Sequence, residues 1–309
     1  MKKIPLIVVA GATASGKTSL AIALAKRFNA EVISADSMQI YRRMNIGTAK
    51  PTKEEMDGVV HHMIDFVEPE DSFSVADFCE KAHLVIADIK KRGKNVIVAG
   101  GTGLYIDSLV NDVDFDGEDA DFTFRKELEE RAKAEGAEVL LRELSEYDKV
   151  SAERLHPNNL KRIIRAIEFY HIHKKPISEH QEETKRKPSR YRALYMMIDH
   201  PREVLKQRID MRVDIMMESG LMDEARTLYE VRESLSKTAS QAIGYKELFG
   251  YFDGKMTLDE AKEELKLRTR QYAKRQLTWF RRNENMNYLS PENAFAKAEK
   301  LVENFLKEE

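Results

Sequence analysis

Gly11-Ala-Thr-Ala-Ser-Gly16-Lys17-Thr18 is the stretch that decides the fold of this chain. An apolar run, Ile4–Ala10, precedes it and a helical pattern over residues 17–28 follows it. Strand, glycine-rich loop and helix in this order make G-x-x-x-x-G-K-[ST] credible as a phosphate-binding loop, in which backbone N–H groups and the helix N-terminus favour an anion. The residues predicted to bind a diphosphate or triphosphate are Gly11, Ala12, Thr13, Ala14, Ser15, Gly16, Lys17 and Thr18, with Thr18 also offering a hydroxyl to Mg²⁺.

Composition narrows the class of protein. The 309 residues are 42% hydrophobic and 34% charged, which is ordinary for a globular protein with a sizeable core. The single cysteine, Cys79, excludes an intramolecular disulfide and a zinc site built on several cysteines. No apolar stretch approaches the roughly 20 residues that span a bilayer. We therefore expect a soluble, cytoplasmic protein.

The rest of the chain predicts an α/β fold. Short apolar, β-branched segments alternate with helical patterns, which is typical of a parallel sheet covered by helices. The predicted fold class is a P-loop NTPase-like parallel-sheet core with an inserted all-helical domain, and ligands are expected at the carboxyl ends of the strands. The predicted strands are residues 4–10, 31–35, 59–66, 95–99 and 193–198, and the predicted core helices include residues 17–28, 75–91 and 201–219.

Residues 112–191 interrupt this alternation. They carry helical patterns at 124–135, 137–144 and 158–173, and no convincing strand. We therefore predict two domains. Residues 1–111 and 192–309 form the α/β core with its C-terminal helices, and residues 112–191 form a helical insertion. The acidic segment 112–121 and the basic segment 185–190 are the expected hinges.

Asp36 is the first candidate for chemistry outside the phosphate loop. It directly follows the second predicted strand, so it is expected at the edge of the sheet where the phosphate loop also lies. A carboxylate there has three interpretations: a magnesium ligand as in the Walker B position of an ATPase, a general base, or the cap of a turn that begins at Ser37. The pattern alone leaves all three open.

Two more features point to the same edge. The strand 95–99 ends in Gly100-Gly-Thr102 rather than in an acid, which offers N–H groups and a hydroxyl to a phosphate or a base. A glycine turn that permits close packing is the alternative. Arg212 lies on the predicted helix 201–219, where it would neutralise charge on a leaving group if it faced the phosphate site. A surface position is the alternative for Arg212.

Charge is strongly segregated although the net charge is only −2. Residues 111–149 contain 6 basic and 14 acidic residues, whereas residues 161–192 contain 10 basic and 4 acidic ones. Residues 264–282 contain 7 basic residues and 1 acidic residue. Basic blocks of this kind suggest a polyanionic partner on selected faces, and solvated helix faces are the alternative.

Several motifs beyond the phosphate loop are specific enough to indicate a family. They are Asp36-Ser-Met-Gln-Ile-Tyr41, Gly47-Thr-Ala-Lys-Pro51, Gly100-Gly-Thr-Gly-Leu-Tyr105, His156-Pro-Asn158, Ile243-Gly-Tyr245 and Arg270-Gln-Tyr-Ala-Lys-Arg-Gln-Leu-Thr-Trp-Phe-Arg281. Together they resemble the bacterial tRNA dimethylallyltransferases over nearly the whole chain. Eukaryotic members add a C-terminal zinc finger, and no cysteine follows Cys79, so the bacterial type is expected.

The resemblance implies transfer of a dimethylallyl group from dimethylallyl diphosphate to N6 of adenosine 37, beside the anticodon of tRNA. It implies Mg²⁺ as cofactor, and catalytic roles for Lys17, Asp36, Thr102 and Arg212, with Asp36 as the general base. An extruded base is expected, since a stacked base cannot react. The implied tRNA contacts are Asp36, Ser37, Met38, Gln39, Thr102, Arg125, Lys161, Arg162, Ile163, Ile164, Arg165, Gln241, Ala242, Ile243, Gly244, Tyr245 and Lys246. A monomer is expected.

Helical periodicity supports two of the basic surfaces. An apolar face that includes Ile163 and Ile164 leaves Lys161, Arg162 and Arg165 toward solvent or phosphate. Near the C-terminus, arginines recur every seven residues and are expected to face an RNA backbone, while the aromatic residues on the other side are expected in the core. The arginines are Arg268, Arg275 and Arg282, and the aromatic residues are Tyr272 and Trp279.

Three other functions compete with tRNA prenylation. Related enzymes prenylate free adenine nucleotides, but the basic stripes and the long insertion argue against so small an acceptor. A small-molecule or nucleotide kinase would use the same loop to bind ATP, with the insertion as its lid. A non-catalytic, nucleotide-gated RNA-binding protein would need no chemistry at Asp36.

Overall fold

The computed structural model describes residues 3–113, 115 and 121–308. It divides the chain into two compact units, one of Met1–Asp112 with Arg190–Glu309, the other of Val113–Ser189. The acidic hinge predicted at residues 112–121 lies mostly outside the described residues. Of the described residues, no helix has both the length and the apolar character needed to cross a membrane.

The first unit is built on a parallel sheet. Its six strands, among the residues described, lie in the order β3-β2-β4-β1-β5-β6, and every pair of neighbours is parallel. Parallel pairing brings the carboxyl ends of the strands to one edge, as the predicted α/β fold requires. The strands are β1 (Ile4–Ala10), β2 (Ala30–Ser34), β3 (His61–His62), β4 (Asn95–Gly100), β5 (Tyr191–Ile198) and β6 (Met286–Leu289).

Helices cover both faces of this sheet. The capping boxes Ser74–Asp77 and Thr257–Glu260 start α3 and α13 by satisfying the N–H groups that a helix N-terminus leaves unpaired. The helices of the first unit are α1 (Lys17–Arg27), α2 (Lys53–Met56), α3 (Val75–Lys91), α4 (Gly103–Val110), α10 (Arg202–Glu218), α11 (Leu221–Glu230), α12 (Lys246–Phe252), α13 (Leu258–Phe280) and α14 (Ala294–Lys307).

The sheet departs from prediction at its two edges. The strand predicted at 59–66 is wrong in extent, because the chain leaves the sheet at Met63 and Asp65, which have φ of 60° and 58°. Strand β6 was not predicted, since it has four residues and its interior pair, Asn287 and Tyr288, carries no apolar signal. Its pairing with β5 depends on contacts that are distant in sequence.

The core of the first unit fixes the loops at the carboxyl edge. Residues 6–10 of β1 and 96–98 of β4 are fully buried, and α1 and α14 pack against the same cluster as β1. The phosphate loop follows β1, the Asp36 segment follows β2 and the Gly100–Thr102 segment follows β4. Because β2, β4 and β1 are adjacent, these three loops lie side by side.

The second unit is helical. Its helices, in the part of the chain described, are α5 (Phe122–Glu135), α6 (Ala137–Tyr147), α7 (Lys149–Arg154), α8 (Leu160–His173) and α9 (Ile177–Arg186). They enclose a separate apolar core that includes Leu128, Leu140, Leu144 and Ile163. The buried carboxylate of Asp148 accepts hydrogen bonds from Ser151 and Ser178, which joins α9 to α7.

Candidate active site

The phosphate loop adopts a conformation that glycine favours. Gly11 and Gly16 have φ of 151° and 89°, so a side chain at either position would strain the loop. Side chains from elsewhere hold its outer surface. The Arg208 Nε donates to the carbonyl of Ala14 at 2.8 Å, and the His200 Nε2 lies 2.9 Å from the carbonyl of Ser15.

Two side chains of the loop, Ser15 and Lys17, are suited to binding an anion. The Ser15 hydroxyl is buried and has no hydrogen-bond partner among the described residues. A buried hydroxyl without a partner costs free energy, and a bound phosphate oxygen could satisfy it. Desolvation lowers the pKa of Lys17 to about 8, opposed by the negative charge of Asp36 and reinforced by the positive charge of Arg212.

A cavity of about 360 Å³ opens beside Lys17 and Thr18. One part of its wall is polar and contains Asp36 and Arg212. Another part is apolar and combines residues of α10 with residues of α13. The apolar lining includes Ile209, Val213, Met216 and Leu265. The cavity therefore offers an anion site and an apolar surface within one enclosure.

Asp36 serves both as a turn cap and as part of this wall. Its Oδ1 accepts hydrogen bonds from the backbone N–H groups of Met38 at 2.9 Å and Gln39 at 3.4 Å. The carboxylate is thereby held against the cavity by its own turn. Thr102 supports the turn, because its Oγ1 accepts a hydrogen bond from the N–H of Ser37 at 3.0 Å.

Arg212 faces the loop rather than the protein surface. Its Nη1 donates to the hydroxyl of Thr13 at 3.5 Å, and the side chain lines the cavity. Burial lowers the pKa of Arg212, while the charge of Glu55 raises it. A partly desolvated guanidinium beside a phosphate loop is suited to binding an anion.

Glu224 was not singled out by sequence reasoning, and it organises the segment 45–47, part of which lines the cavity. Its carboxylate accepts hydrogen bonds from the N–H groups of Asn45, Ile46 and Gly47 at 2.9–3.0 Å, and from the Tyr245 hydroxyl at 2.6 Å. Gly47 also lines the cavity. The signal available in the sequence was the Gly47-Thr-Ala-Lys-Pro51 motif, but the identity of its partner depends on the fold.

Comparison with known proteins identifies the family to which the chain belongs. The model of the family described as IPP transferase matches residues 39–283. The chain belongs to the IPP transferase family. A tRNA dimethylallyltransferase from Acetivibrio thermocellus is 50% identical over 299 residues, covering 97% of this chain and 95% of the relative. One from Bacillus subtilis is 49% identical over 281 residues, covering 90% of this chain and 88% of the relative.

Solved structures of IPP transferases are similar along nearly the whole chain. A full-length tRNA isopentenylpyrophosphate transferase from Bacillus halodurans superposes with a TM-score of 0.74 at 42% identity, covering 99% of this chain and 98% of that one. A eukaryotic dimethylallyltransferase captured acting on tRNA superposes with a TM-score of 0.85 at 31% identity, covering 98% of this chain and 80% of that one.

The segment 241–246 of this IPP transferase divides into buried and cavity-lining residues. Tyr245 is 2% exposed and packs against Gly47, while Ala242 is 1% exposed. The segment still reaches the cavity through Gln241, Ala242, Ile243 and Lys246, which lie along its wall. Contact of these residues with tRNA stays a prediction.

The C-terminal aromatic residues differ in their surroundings. Trp279 donates from Nε1 to Asp107 at 2.7 Å and packs against Gly103, in agreement with a structural role. Tyr272 instead lines the cavity beside Arg275, so the prediction that it belongs to the core is wrong. Its position on α13 turns it toward the site once α13 packs against α10.

In the helical unit, two of the predicted tRNA contacts pair with a buried carboxylate. Glu168 is fully buried, and its carboxylate pairs with Arg125 at 2.6 Å and with Arg165 at 2.7 Å. Arg125 and Arg165 therefore neutralise a buried charge, which needs a partner, and their contact with tRNA stays a prediction. Ile163 and Ile164 are buried in the core of the unit, whereas Lys161 and Arg162 are exposed.

Proposed function

We propose that this IPP transferase transfers the dimethylallyl group of dimethylallyl diphosphate to N6 of the adenosine beside the tRNA anticodon. The observation that carries the proposal is the cavity that combines the phosphate loop, Asp36 and an apolar wall. The apolar wall beside the anion site suits the hydrocarbon part of a prenyl diphosphate. The names of the relatives, all tRNA dimethylallyltransferases or isopentenyltransferases, support the same activity.

The diphosphate is the leaving group in this reaction. When the allylic C–O bond breaks, negative charge accumulates on the diphosphate, and an allylic carbon tolerates the positive charge that remains. Lys17 and Arg212 lie at this end of the cavity, where they stabilise the departing charge.

The acceptor amine needs help because its lone pair is delocalised into the purine ring. As the N6–C bond forms, Asp36 accepts the proton that N6 loses and later returns it to solvent. The turn that holds Asp36 keeps its carboxylate in place for this transfer. No oxidant, reductant or ATP is consumed.

The residues present fit a magnesium ion that arrives with the diphosphate. Within the described part of the chain, no cluster of three or more His, Cys, Asp or Glu residues could hold a metal alone. Mg²⁺ characteristically binds one or two protein oxygens together with substrate phosphates, and the Thr18 hydroxyl of the phosphate loop lines the cavity. Bound there, Mg²⁺ would neutralise charge on the leaving diphosphate.

The proposal is tested by incubating the protein with dimethylallyl diphosphate, Mg²⁺ and unmodified tRNA, followed by mass analysis of the nucleosides. We expect an adenosine that carries one five-carbon prenyl group. Prenylated AMP with unmodified tRNA would assign the protein to the enzymes that act on free nucleotides. Absence of both products, with phosphate transfer from ATP, would identify a kinase.

The lowered pKa of Lys17 predicts a pH dependence. The ammonium form binds the diphosphate and is the major form below about pH 8, because desolvation lowers the pKa of Lys17 to about 8. Above that pH the amine is neutral, so kcat/KM for dimethylallyl diphosphate should fall by up to about tenfold per pH unit. Lys17→Arg stays charged across this pH range, so its kcat/KM for dimethylallyl diphosphate should not fall above about pH 8. An unchanged kcat/KM in the wild type to pH 9.5, measured at fixed ionic strength, would contradict the assignment.

Exposed basic residues on α8 are proposed to contact tRNA phosphates. The double variant Lys161→Ala/Arg162→Ala should weaken tRNA binding and reduce the slope of log K against log salt by about 1.5, since each phosphate contact contributes roughly 0.7–0.9. The matched control is Lys126→Ala/Lys133→Ala, which removes two exposed lysines from α5. Equal slopes in the two double variants would show that Lys161 and Arg162 do not contact tRNA phosphates. Arg165 is left intact because it neutralises Glu168.

Partners and location follow from the proposed reaction. A monomer is proposed as the active form. The proposed substrates are dimethylallyl diphosphate and the anticodon arm of tRNA. The proposed location is the cytoplasm, where bacterial tRNA is modified.

A further inference from the structure

Gln276 is a buried polar side chain that connects two loops of the site. It lies on α13 and is 5% exposed. Its Oε1 accepts a hydrogen bond from the backbone N–H of Thr13 at 2.9 Å, and its Nε2 donates one to the carbonyl of Gly101 at 3.0 Å. Because a side-chain amide has an acceptor end and a donor end, one residue joins the phosphate loop to the loop that follows β4.

The loop after β4 is in turn bonded to the segment that contains Asp36. The N–H of Thr102 donates to the carbonyl of Ala35 at 3.1 Å, and the Thr102 hydroxyl accepts from the N–H of Ser37 at 3.0 Å. These bonds bracket Asp36 on both sides. The separation between the phosphate loop and Asp36 therefore depends on Gln276 as well as on pairing within the sheet.

Gly101 has no side chain, and this leaves the space that the side-chain amide of Gln276 occupies. A Cβ atom at position 101 would lie 2.1 Å from Nε2 of Gln276 and 3.3 Å from the carbonyl oxygen of Gly11. A contact of 2.1 Å forces the amide to move. The close approach therefore depends on the absence of a side chain at Gly101.

We propose that Gln276 is a positioning residue for prenyl transfer, which holds the diphosphate-binding loop and the Asp36 turn at the separation that the reaction needs. The inference rests on the proposed function, because the role is defined within that reaction. A misplacement of about 1 Å between reacting groups can cost roughly 10²-fold in rate. Loss of the hydrogen bonds that Gln276 makes to Thr13 and Gly101 is therefore expected to lower kcat.

Gln276→Leu is the principal test, since leucine is similar in size but makes neither hydrogen bond. We expect kcat to fall by about 10- to 100-fold, while the Kd values for dimethylallyl diphosphate and for tRNA change by less than about threefold. The matched control is Gln271→Leu, the same change at an exposed position of α13. It should retain the kcat of the wild type. Thermal midpoints of both variants are measured alongside.

Gly101→Ala provides a second test that leaves the amide in the protein. Its Cβ atom displaces Gln276, so kcat should fall by a factor similar to that of Gln276→Ala. The double variant Gln276→Ala/Gly101→Ala removes the clash, and its loss should not exceed that of Gln276→Ala alone. Effects that multiply would show that Gln276 does not act through Gly101, which would overturn the proposal.

The outcomes separate this inference from the proposed function. Wild-type kcat in Gln276→Leu, or a loss confined to Kd or to the thermal midpoint, would overturn the positioning role. Failure of the unsubstituted protein to prenylate tRNA would instead overturn the proposed function. If Gln276→Leu does not fold, the comparison of Gly101→Ala with the double variant decides.

Discussion

Asp36→Asn is expected to lower kcat for tRNA prenylation by about 10²-fold or more while the Kd for tRNA changes little. Asparagine retains a side-chain oxygen that accepts from the N–H groups of Met38 and Gln39, so the turn is preserved. It cannot accept the proton that N6 loses. The measurement is single-turnover transfer with both substrates saturating, together with tRNA binding.

Asp36→Ala separates the two roles of this side chain. Alanine removes the base and the turn cap together, so any additional loss relative to Asp36→Asn measures the contribution of the turn. Full activity in Asp36→Asn would mean that Asp36 acts only as a cap. A loss of tRNA binding in proportion to kcat would make Asp36 a docking residue rather than a base.

Lys17→Met is expected to lower kcat/KM for dimethylallyl diphosphate by about 10²- to 10³-fold. Methionine fills similar space, but the positive charge at the leaving group is lost. The partly desolvated position of Lys17, which lowers its pKa to about 8, makes its charge more effective than one on the surface. The measurement is the initial rate at subsaturating dimethylallyl diphosphate with saturating tRNA.

Lys26→Met is the matched control for the loss of charge at Lys17. Lys26 lies on the same helix, α1, but its side chain is 47% exposed and pairs with Asp57 at the surface. A surface ion pair contributes little, so kcat/KM should stay within about twofold of the wild type. Equal losses in the two lysine variants would mean that overall charge, and not the phosphate loop, governs substrate binding.

Local sequence signals predicted the centre of the sheet better than its edges. Strand β1 and helix α3 begin and end at the predicted residues, because buried apolar runs and capping boxes are local signals. Strand β3 was predicted too long and β6 was not predicted. Both are edge strands that exist through pairing with one neighbour, which apolar periodicity does not report.

The candidate site shows a similar division. Lys17 ends the phosphate loop that follows β1, and Asp36 comes shortly after β2, so their place at the carboxyl edge could be predicted from the chain order. Arg212 was ambiguous, since periodicity does not reveal which neighbour a helix face contacts. Gln276 lies within the motif 270–281 and Glu224 lies in none, but the role of neither could be predicted, because both act on backbone groups that are 175 and 177 residues away in sequence.

The phosphate loop, the α/β class and the family could all be predicted before folding was considered, since each depends on residue types at short, regular spacings. Tertiary structure alone decided that Tyr272 lines the cavity, that Arg165 neutralises the buried Glu168, and that Gln276 bridges two loops. The physical reason is that burial and hydrogen bonding belong to pairs of groups. A pair distant along the chain exists only after the helices and strands have packed.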